Sequence, residues 1–355
     1  MNHASTEQRY LRLISGETRG PLAGAARAAL ATLEPLFRAV VACRNAAYDH
    51  GIAPVRQLPR PVICVGNLTT GGTGKTPMVA WVVQRLLAIG LRPAVLTRGY
   101  RRPGDAESDE AALLRQALGP EPPVIVGADR YAAASEALRA GARIDVFVMD
   151  DGYQHRRLHR DLNLLLIDAT RPSGFDRLLP RGLLREPLNA GLRRAHAVIL
   201  TRCDLVDPAT LEAIERRIRA TLAGDVPVAR TAMAIDGVDL EGARRPLADL
   251  QTRRCFLFAG VGNPDSFEGL LRSAGLVVAG RRWFADHHAY DATDIARLRH
   301  DATDAGADLL VTTAKDAVKL RRLAPDAAVV QVSPRFLDAD SQRAILQLLL
   351  QATSR

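Results

Sequence analysis

Short apolar runs that stop at glycine-rich or polar turns recur along the chain, at residues 62–65, 94–97, 146–149, 162–167, 198–201, 256–259, 309–312 and 328–332. Helical patterns lie between several of them, at 78–89, 131–140 and 211–222, and a last one covers 341–351. A run that is apolar at every position has no solvent face, so these segments predict strands buried on both sides. Strands of that kind alternating with helices predict an α/β fold, a mostly parallel sheet with crossover helices on both faces. Ahead of the first strand, Leu22, Ala26, Ala29, Leu30, Leu33, Leu36, Phe37, Val40 and Val41 recur at helical spacing. Arg27, Glu34 and Arg38 cluster on the opposite side, which predicts an amphipathic helix, either a surface helix packed on the core, as periodicity alone favours, or one lying in a bilayer surface. The stretch 236–252 reads as polar turns and a hinge, and 255–320 beyond it as an α/β unit of its own.

Composition narrows this picture in three ways. A chain of 355 residues, nearly half of them apolar, supports a substantial core and either two domains or one large domain with an elaboration. The four cysteines, Cys43, Cys64, Cys203 and Cys255, stand singly with no CxxC pair, which argues against a disulfide framework and against structural zinc. The formal charge of +9 favours an anionic partner without choosing among nucleic acid, acidic lipid and phosphorylated substrate. Only three of the 48 basic residues are lysine, Lys75, Lys315 and Lys319. Arginine is the default cation here, so a lysine inside a glycine-rich loop marks a place where a compact ammonium is wanted. No secretory signal and no run of about 18 uncharged apolar residues is present, which predicts no membrane span.

That loop is "GNLTTGGTGKTP", residues 66–77, directly after the apolar run "PVICV". Strand, glycine-rich turn and helix are the context of a phosphate-binding loop. The general pattern G-x-x-x-x-G-K-[ST] would put its first glycine at position 69, where this chain has Thr69. Backbone N–H groups of Gly71, Gly72, Thr73 and Gly74 are expected to curl around phosphate oxygens, assisted by the helix dipole. Lys75 is expected to reach the β- and γ-phosphates, and the Thr76 hydroxyl to ligate Mg²⁺. Thr69 and Thr70 complete the expected ATP contacts.

The second element is "VFVMDDGYQHRRLHRD", an apolar run ending in Asp150 and Asp151. A strand ending in a carboxylate, paired with the loop upstream, is placed to hold Mg²⁺ directly or through water. His155 and His159 are four apart, but zinc would need further ligands that the sequence does not supply. "ILTRCD" (199–204) and "TTAKD" (312–316) faintly resemble the N-K-x-D guanine reader, yet neither has the asparagine, and each reads as a strand end followed by a turn. "FADHHAYD" (284–291) gathers two histidines and two carboxylates into eight residues, either a solvated loop or an acid–base cluster.

With "LTRGYRR" (96–102), "DDGYQHRRLHRDLNLLLID", "LLPRGLLREP" (178–187), "FAGVGNPDSF" (258–267), "FADHH" and "LVTTAKDAVKL" in this order, the chain resembles the tetraacyldisaccharide 4′-kinases, the lipid A 4′-kinase family. The resemblance runs from about residue 59 to 320, and the family's loop has the same GGxGKT form, so Thr69 is expected. It implies a P-loop NTPase-like fold with a smaller C-terminal α/β domain. The expected division is 1–55 for N-terminal amphipathic, membrane-docking helices, 56–236 for the P-loop ATP-binding kinase domain and 237–335 for the smaller domain. Residues 336–355 are expected as a helix packing back on the core. It also implies ATP and Mg²⁺, with the 4′-hydroxyl of a lipid A precursor, tetraacyldisaccharide 1-phosphate, as acceptor. Carried over by position, Lys75 and Thr76 belong to the ATP site, and Asp150, Asp151 and Glu186 to the metal centre. Arg98, Arg130 and Arg185 are implied substrate contacts. The family's catalytic aspartate lies in a G-D-E-P block, matched here by Ser108-Asp109-Glu110-Ala111, which keeps the acids and loses their neighbours. His287 of "FADHH" would be the partner of Asp109, from a different domain.

A four-chain lipid does not leave a bilayer readily, so the amphipathic segment is expected to dock the enzyme on the cytoplasmic face of the inner membrane as a peripheral protein. No nucleic acid and no obligate protein partner is expected. The alternative is a P-loop GTPase or metallochaperone-type nucleotide switch, and a DNA-partition ATPase is a third reading. The missing guanine-reading asparagine argues against the first. The second usually carries an extra lysine near the start of the loop, where this chain has Thr70.

Overall fold

The computed structural model describes residues 6–99, 109–262, 264–285, 288–320 and 323–354. In chain order its elements begin with α1 (Thr6–Ile14), α2 (Pro21–Asp49), β1 (Val62–Asn67), α3 (Lys75–Ala88), β2 (Pro93–Thr97), α4 (Asp109–Leu118), β3 (Val124–Val126), α5 (Arg130–Arg139) and β4 (Val146–Asp150). There follow β5 (Leu162–Asp168), α6 (Leu188–Leu192), β6 (Ala197–Thr201), α7 (Pro208–Arg219), β7 (Val228–Leu240), β8 (Ala243–Arg245) and α8 (Ala248–Gln251). The rest is β9 (Arg254–Ala259), α9 (Pro264–Ser273), β10 (Val277–Trp283), α10 (Ala292–Asp304), β11 (Leu309–Thr313), α11 (Ala314–Leu320), β12 (Ala328–Phe336) and α12 (Ala339–Thr353).

The chain forms two compact units. The larger comprises residues 9–99, 118–232 and 334–355, and the smaller comprises 1–8, 100–117 and 233–333. In the larger unit the strand order is β7-β6-β5-β1-β4-β2-β3, all parallel, with helices on both sides of the sheet. Every residue of β1, β2, β4, β5 and β6 is buried. That is why these segments read as unbroken apolar runs rather than alternating ones. β1 lies between β4 and β5, so the loop at its carboxyl end opens in the middle of the sheet edge, where α/β proteins place ligands. Behind that loop α3 is buried over most of its surface, through Met78, Val79, Ala80, Trp81, Val82, Val83 and Leu86. α12 lies against β1 and β5, and Phe336 just before it packs on Trp81 with ring centroids 4.9 Å apart.

The smaller unit carries the parallel order β10-β9-β11-β12. The stretch expected to be polar turns and a hinge, 236–252, is the end of β7, a hairpin to β8 and the short helix α8. Leu240 pairs with Ala243 across Glu241 and Gly242, which have φ of 53° and 79°. Two central residues with positive φ make a primed two-residue hairpin turn. The usual Asn-Gly or Asp-Gly signal is absent because glutamate fills the first position. α4 also differs from the linear division, since residues 109–117 belong to the smaller unit rather than to the stretch 56–236. Among the described residues no helix is long and apolar enough to cross a membrane.

Candidate active site

β1 ends at Asn67, and α3 begins at Lys75. Between them Thr69 forms an antiparallel bridge with Leu184, Thr70 N–H donates to Leu183 O at 2.9 Å, and Arg185 N–H donates to Leu68 O at 2.7 Å. The first half of the loop is thus extended backbone laid along residues 183–185. Position 69 needs no glycine, because an extended residue with a side chain suits it. Gly74 is different: it caps α3 with φ 83° and no side-chain cap. An L-residue there would pay the left-handed penalty.

The loop tip is gripped from behind by two residues that follow one another in the chain. Thr201 Oγ1 donates to Thr73 O at 3.1 Å, and Arg202 Nη2 donates to Gly72 O at 2.7 Å. In a trans peptide the carbonyl and the following N–H point in opposite directions. Anchoring the carbonyls of Gly72 and Thr73 on β6 therefore turns the N–H groups of Thr73 and Gly74 the other way, alongside the unpaired first-turn donors of α3. Arg202 reaches back because it is left-handed, φ 59°, and its guanidinium is held by Asp168. "ILTRCD", read from sequence as a strand end and a turn, is a clamp on the phosphate loop.

Lys75 bends back over the end of β1. Its Nζ donates to Asn67 Oδ1 at 3.3 Å and lies 3.6 Å from Asp151 Oδ1. Asp151, just past β4, has φ 46°, a conformation that Asp tolerates better than most residues. Both of its oxygens accept from Arg185 Nη1, each at 2.9 Å. Burial alone would raise the Asp151 carboxyl, but Lys75 and Arg185 outweigh it and hold it below the ordinary carboxylate range. Gly66 lets this block close on β1, since a Cβ there would meet Tyr153 Cβ at 2.8 Å.

The other expected site residues divide. Asp150 is buried at the end of β4. Arg130, expected as a substrate contact, is 4% exposed and donates to the backbone oxygens of Asp150 and Asp151 at 3.2 and 3.4 Å. It braces the strand end from inside and is not turned to solvent. Arg98 is exposed one residue beyond β2. Glu186, expected at the metal, is fully buried. Its Oε1 accepts from Gln154 Nε2 (3.1 Å) and Arg194 Nη2 (2.8 Å), and its Oε2 accepts from Arg194 Nη2 (2.7 Å) and Asn45 Nδ2 (3.2 Å). A carboxylate so occupied serves as an anchor rather than as a metal ligand. Gln154 Nε2 also donates to Asn67 O at 3.0 Å. Asn45, Asn67, Gln154 and Arg194 have no role in the sequence reading, because a lone amide or one arginine among many carries no local signature, and Thr201 and Arg202 enter it only within "ILTRCD" as a strand end and turn. Asp109 opens α4, where an acidic residue suits the helix dipole, and its side chain lies outside the described residues, as does His287.

His155 of the same block is half-buried, and burial, aided by Arg130 and Arg160, pushes its pKa down to about 4. The folded protein therefore holds a neutral imidazole at a pH where the unfolded chain, titrating near 6.5, has begun to take up a proton. The unfolded state binds more protons below that value, so stability falls as pH drops from about 6.5 towards 4. His155→Gln is expected to flatten the decline of Tm across that window in thermal melts, and a variant with the wild-type slope would refute the assignment.

In the smaller unit "TTAKD" is a helix start. Thr313 Oγ1 accepts from Asp316 N–H at 3.2 Å and donates to Asp316 Oδ2 at 2.7 Å. Asp316 Oδ1 accepts from Gly260 N–H and from Tyr290 OH, both at 3.1 Å, and the residue is fully buried. An aspartate spent on packing three segments together cannot read a guanine. His288 stacks on Phe284 at 4.6 Å between centroids and hydrogen-bonds Asp294 through Nε2 at 2.7 Å.

Comparison with known proteins gives these features a family. The sequence profile of the tetraacyldisaccharide-1-P 4′-kinases (LpxK) matches residues 26–351. The tetraacyldisaccharide 4′-kinase of Geobacter sulfurreducens is 42% identical, over 96% of this chain and 98% of that protein. That of Bdellovibrio bacteriovorus is 36% identical over 86% of this chain and 92% of its own. A crystal structure of the "apo" form of LpxK from Aquifex aeolicus in complex with ATP superposes with a TM-score of 0.74 at 28% identity, covering 92% of this chain and 99% of that one. The chain belongs to the tetraacyldisaccharide-1-P 4′-kinase family.

Proposed function

We propose that this protein transfers the γ-phosphoryl group of ATP to the 4′-hydroxyl of tetraacyldisaccharide 1-phosphate, a step in making lipid A. The observation that carries the reading is the placement of Lys75. It stands at the head of α3, between Asn67 and Asp151, beside a loop whose carbonyls are tied off at the back. Its membership of a family whose relatives bear that activity as their name supports the choice of acceptor.

Phosphoryl transfer through a loose transition state asks the protein mainly for positioning and charge neutralisation. The loop from Gly71 to Thr76 holds the phosphate chain through its backbone donors, since the Thr70 N–H is already given to Leu183 O, and Lys75 sets its ammonium against the transferred group. Arg185 and Lys75 together keep Asp151 ionised. Among the described residues no cluster of three or more His, Cys, Asp or Glu side chains suits a metal. The donor set fits Mg²⁺ all the same, because Mg²⁺ takes one or two carboxylates and completes its shell with phosphate oxygens and water. Thr76 and Asp150 would hold it, with Asp151 beside them, and when bound it neutralises charge on the β- and γ-phosphates. Asp109, oriented by His287, would accept the hydroxyl proton, with Arg98 as a contact to the anionic acceptor. The test is direct: purified protein, γ-labelled ATP and tetraacyldisaccharide 1-phosphate in detergent should yield a bis-phosphorylated lipid. Label appearing only as free phosphate would refute the kinase reading.

The acceptor's acyl chains place the reaction at a membrane surface, since each buried CH₂ is worth about 0.8 kcal/mol. α2 presents a face for that contact: Leu22, Leu33, Leu36 and Val40 are each more than half exposed. Arg9, Arg12 and Arg19 nearby favour an anionic, cytoplasmic leaflet. Leu33→Glu, Leu36→Glu and Val40→Glu together are expected to abolish recovery of the protein with anionic liposomes. Undiminished recovery of that triple variant in flotation would remove α2 as the docking element.

A further inference from the structure

α2 is 29 residues long, yet the residues it buries are Ala23, Glu34, Val41 and Asn45. Besides these, only the half-buried Phe37 packs on the main core cluster, a modest hydrophobic hold for a helix of this length, so polar contacts share in setting its seat. Glu34 accepts from Leu178 N–H at 3.2 Å. Asn45 donates to Glu186 at 3.2 Å, and the Asn45 carbonyl accepts from Arg156, which also pairs with Asp49 at 2.7 Å and lies 5.2 Å over the Tyr48 ring.

We propose that α2 and the phosphate loop are energetically coupled through Asn45, Glu186 and Gln154, so that the seating of α2 sets the affinity for ATP. The inference rests on reading the loop as the ATP site. Glu186 is buried and has all its oxygen valence taken up by Arg194, Gln154 and Asn45. Such a group cannot lose one donor without leaving a buried acceptor short, so its partners move with it. Gln154 passes the constraint on in two directions. Its Nε2 holds the Asn67 carbonyl at 3.0 Å, and its Oε1 accepts from Arg185 Nη1 at 3.4 Å. Asn67 then holds Lys75 directly, and Arg185 holds it through Asp151. Asn45 and Gln154 are therefore positioning residues that touch no phosphate. Coupling is reciprocal: whatever factor the seating of α2 contributes to ATP binding, ATP returns to the seating of α2.

The experiment measures the Kd of Mg·ATP, without lipid, for the intact wild type, Asn45→Ala, Gln154→Ala and the double variant, with Tm beside each. Each single variant is expected to raise Kd about five- to twentyfold, and the double variant no further than the worse single. A Kd unchanged by Asn45→Ala while Tm falls, or effects that simply multiply, overturns the coupling. Should Asn45→Ala not fold, hydrogen exchange in the wild type decides. Saturating Mg·ATP is expected to slow the amides of 41–49 more than those of α7, and equal protection in both helices overturns the proposal. A wild type that binds no ATP at all sinks the nucleotide site itself, which is a separate result.

Discussion

Lys75→Ala is expected to lower kcat/KM for ATP by about 10³-fold or more, with little change in Tm. An aimed positive charge stabilises the developing phosphoryl charge where water cannot, and losing one such group costs about 10²–10³ in rate by itself. Here the ammonium also completes the charge balance around Asp151, whose carboxylate would keep Arg185 as its partner at 2.9 Å. That remaining pair is why folding should survive. Lys75→Arg should rescue poorly, although arginine is the commonest cation in this chain, because a planar fork cannot take the place of a point charge between Asn67 Oδ1 and Asp151 Oδ1. Initial rates with labelled ATP, alongside nucleotide binding, check both. An alanine variant retaining a tenth of wild-type turnover would remove Lys75 from the phosphoryl site.

What could be read from the sequence was what is local. The eight apolar runs fall inside β1, β2, β4, β5, β6, β9, β11 and β12, since burial on both faces writes itself into consecutive residues. β7 escaped notice because its burial is broken along thirteen residues, and β10 because several of its residues are only partly covered. β3, three residues long, is too short to show any pattern. The same rule governs the site. Gly74, Lys75 and Thr76 announce themselves because the chemistry of a phosphate loop sits in one turn. The residues that shape that turn come from far along the chain: Gln154 reaches Asn67 across 87 positions, and Arg202 reaches Gly72 across 130. The family resemblance assigns Glu186 to the metal centre, but a carboxylate's role depends on which donors surround it. Those donors come from α2, from the turn after β4 and from just after α6.

Asp109→Ala is expected to cut kcat by about 10²–10⁴-fold while leaving the affinity for ATP unchanged, as suits a base that acts on the acceptor and not on the donor. Asp109 heads α4, and α4 belongs to the same compact unit as residues 233–333, whereas the phosphate loop belongs to the other. The expected division, with Asp109 inside the stretch 56–236, therefore gives way to one in which α4 goes with the smaller unit, while His287 lies outside the described residues. If Asp109 and His287 act as one device, their effects will not multiply. His287→Ala should fall within the same range, and the double variant should be no slower than the worse single. Multiplying losses would mean that the two work independently. Near-normal turnover in Asp109→Ala would move the base elsewhere, with Glu110 and Asp105 as the next acids to replace. An ATP Kd that weakens in step with kcat would assign Asp109 to the donor side instead.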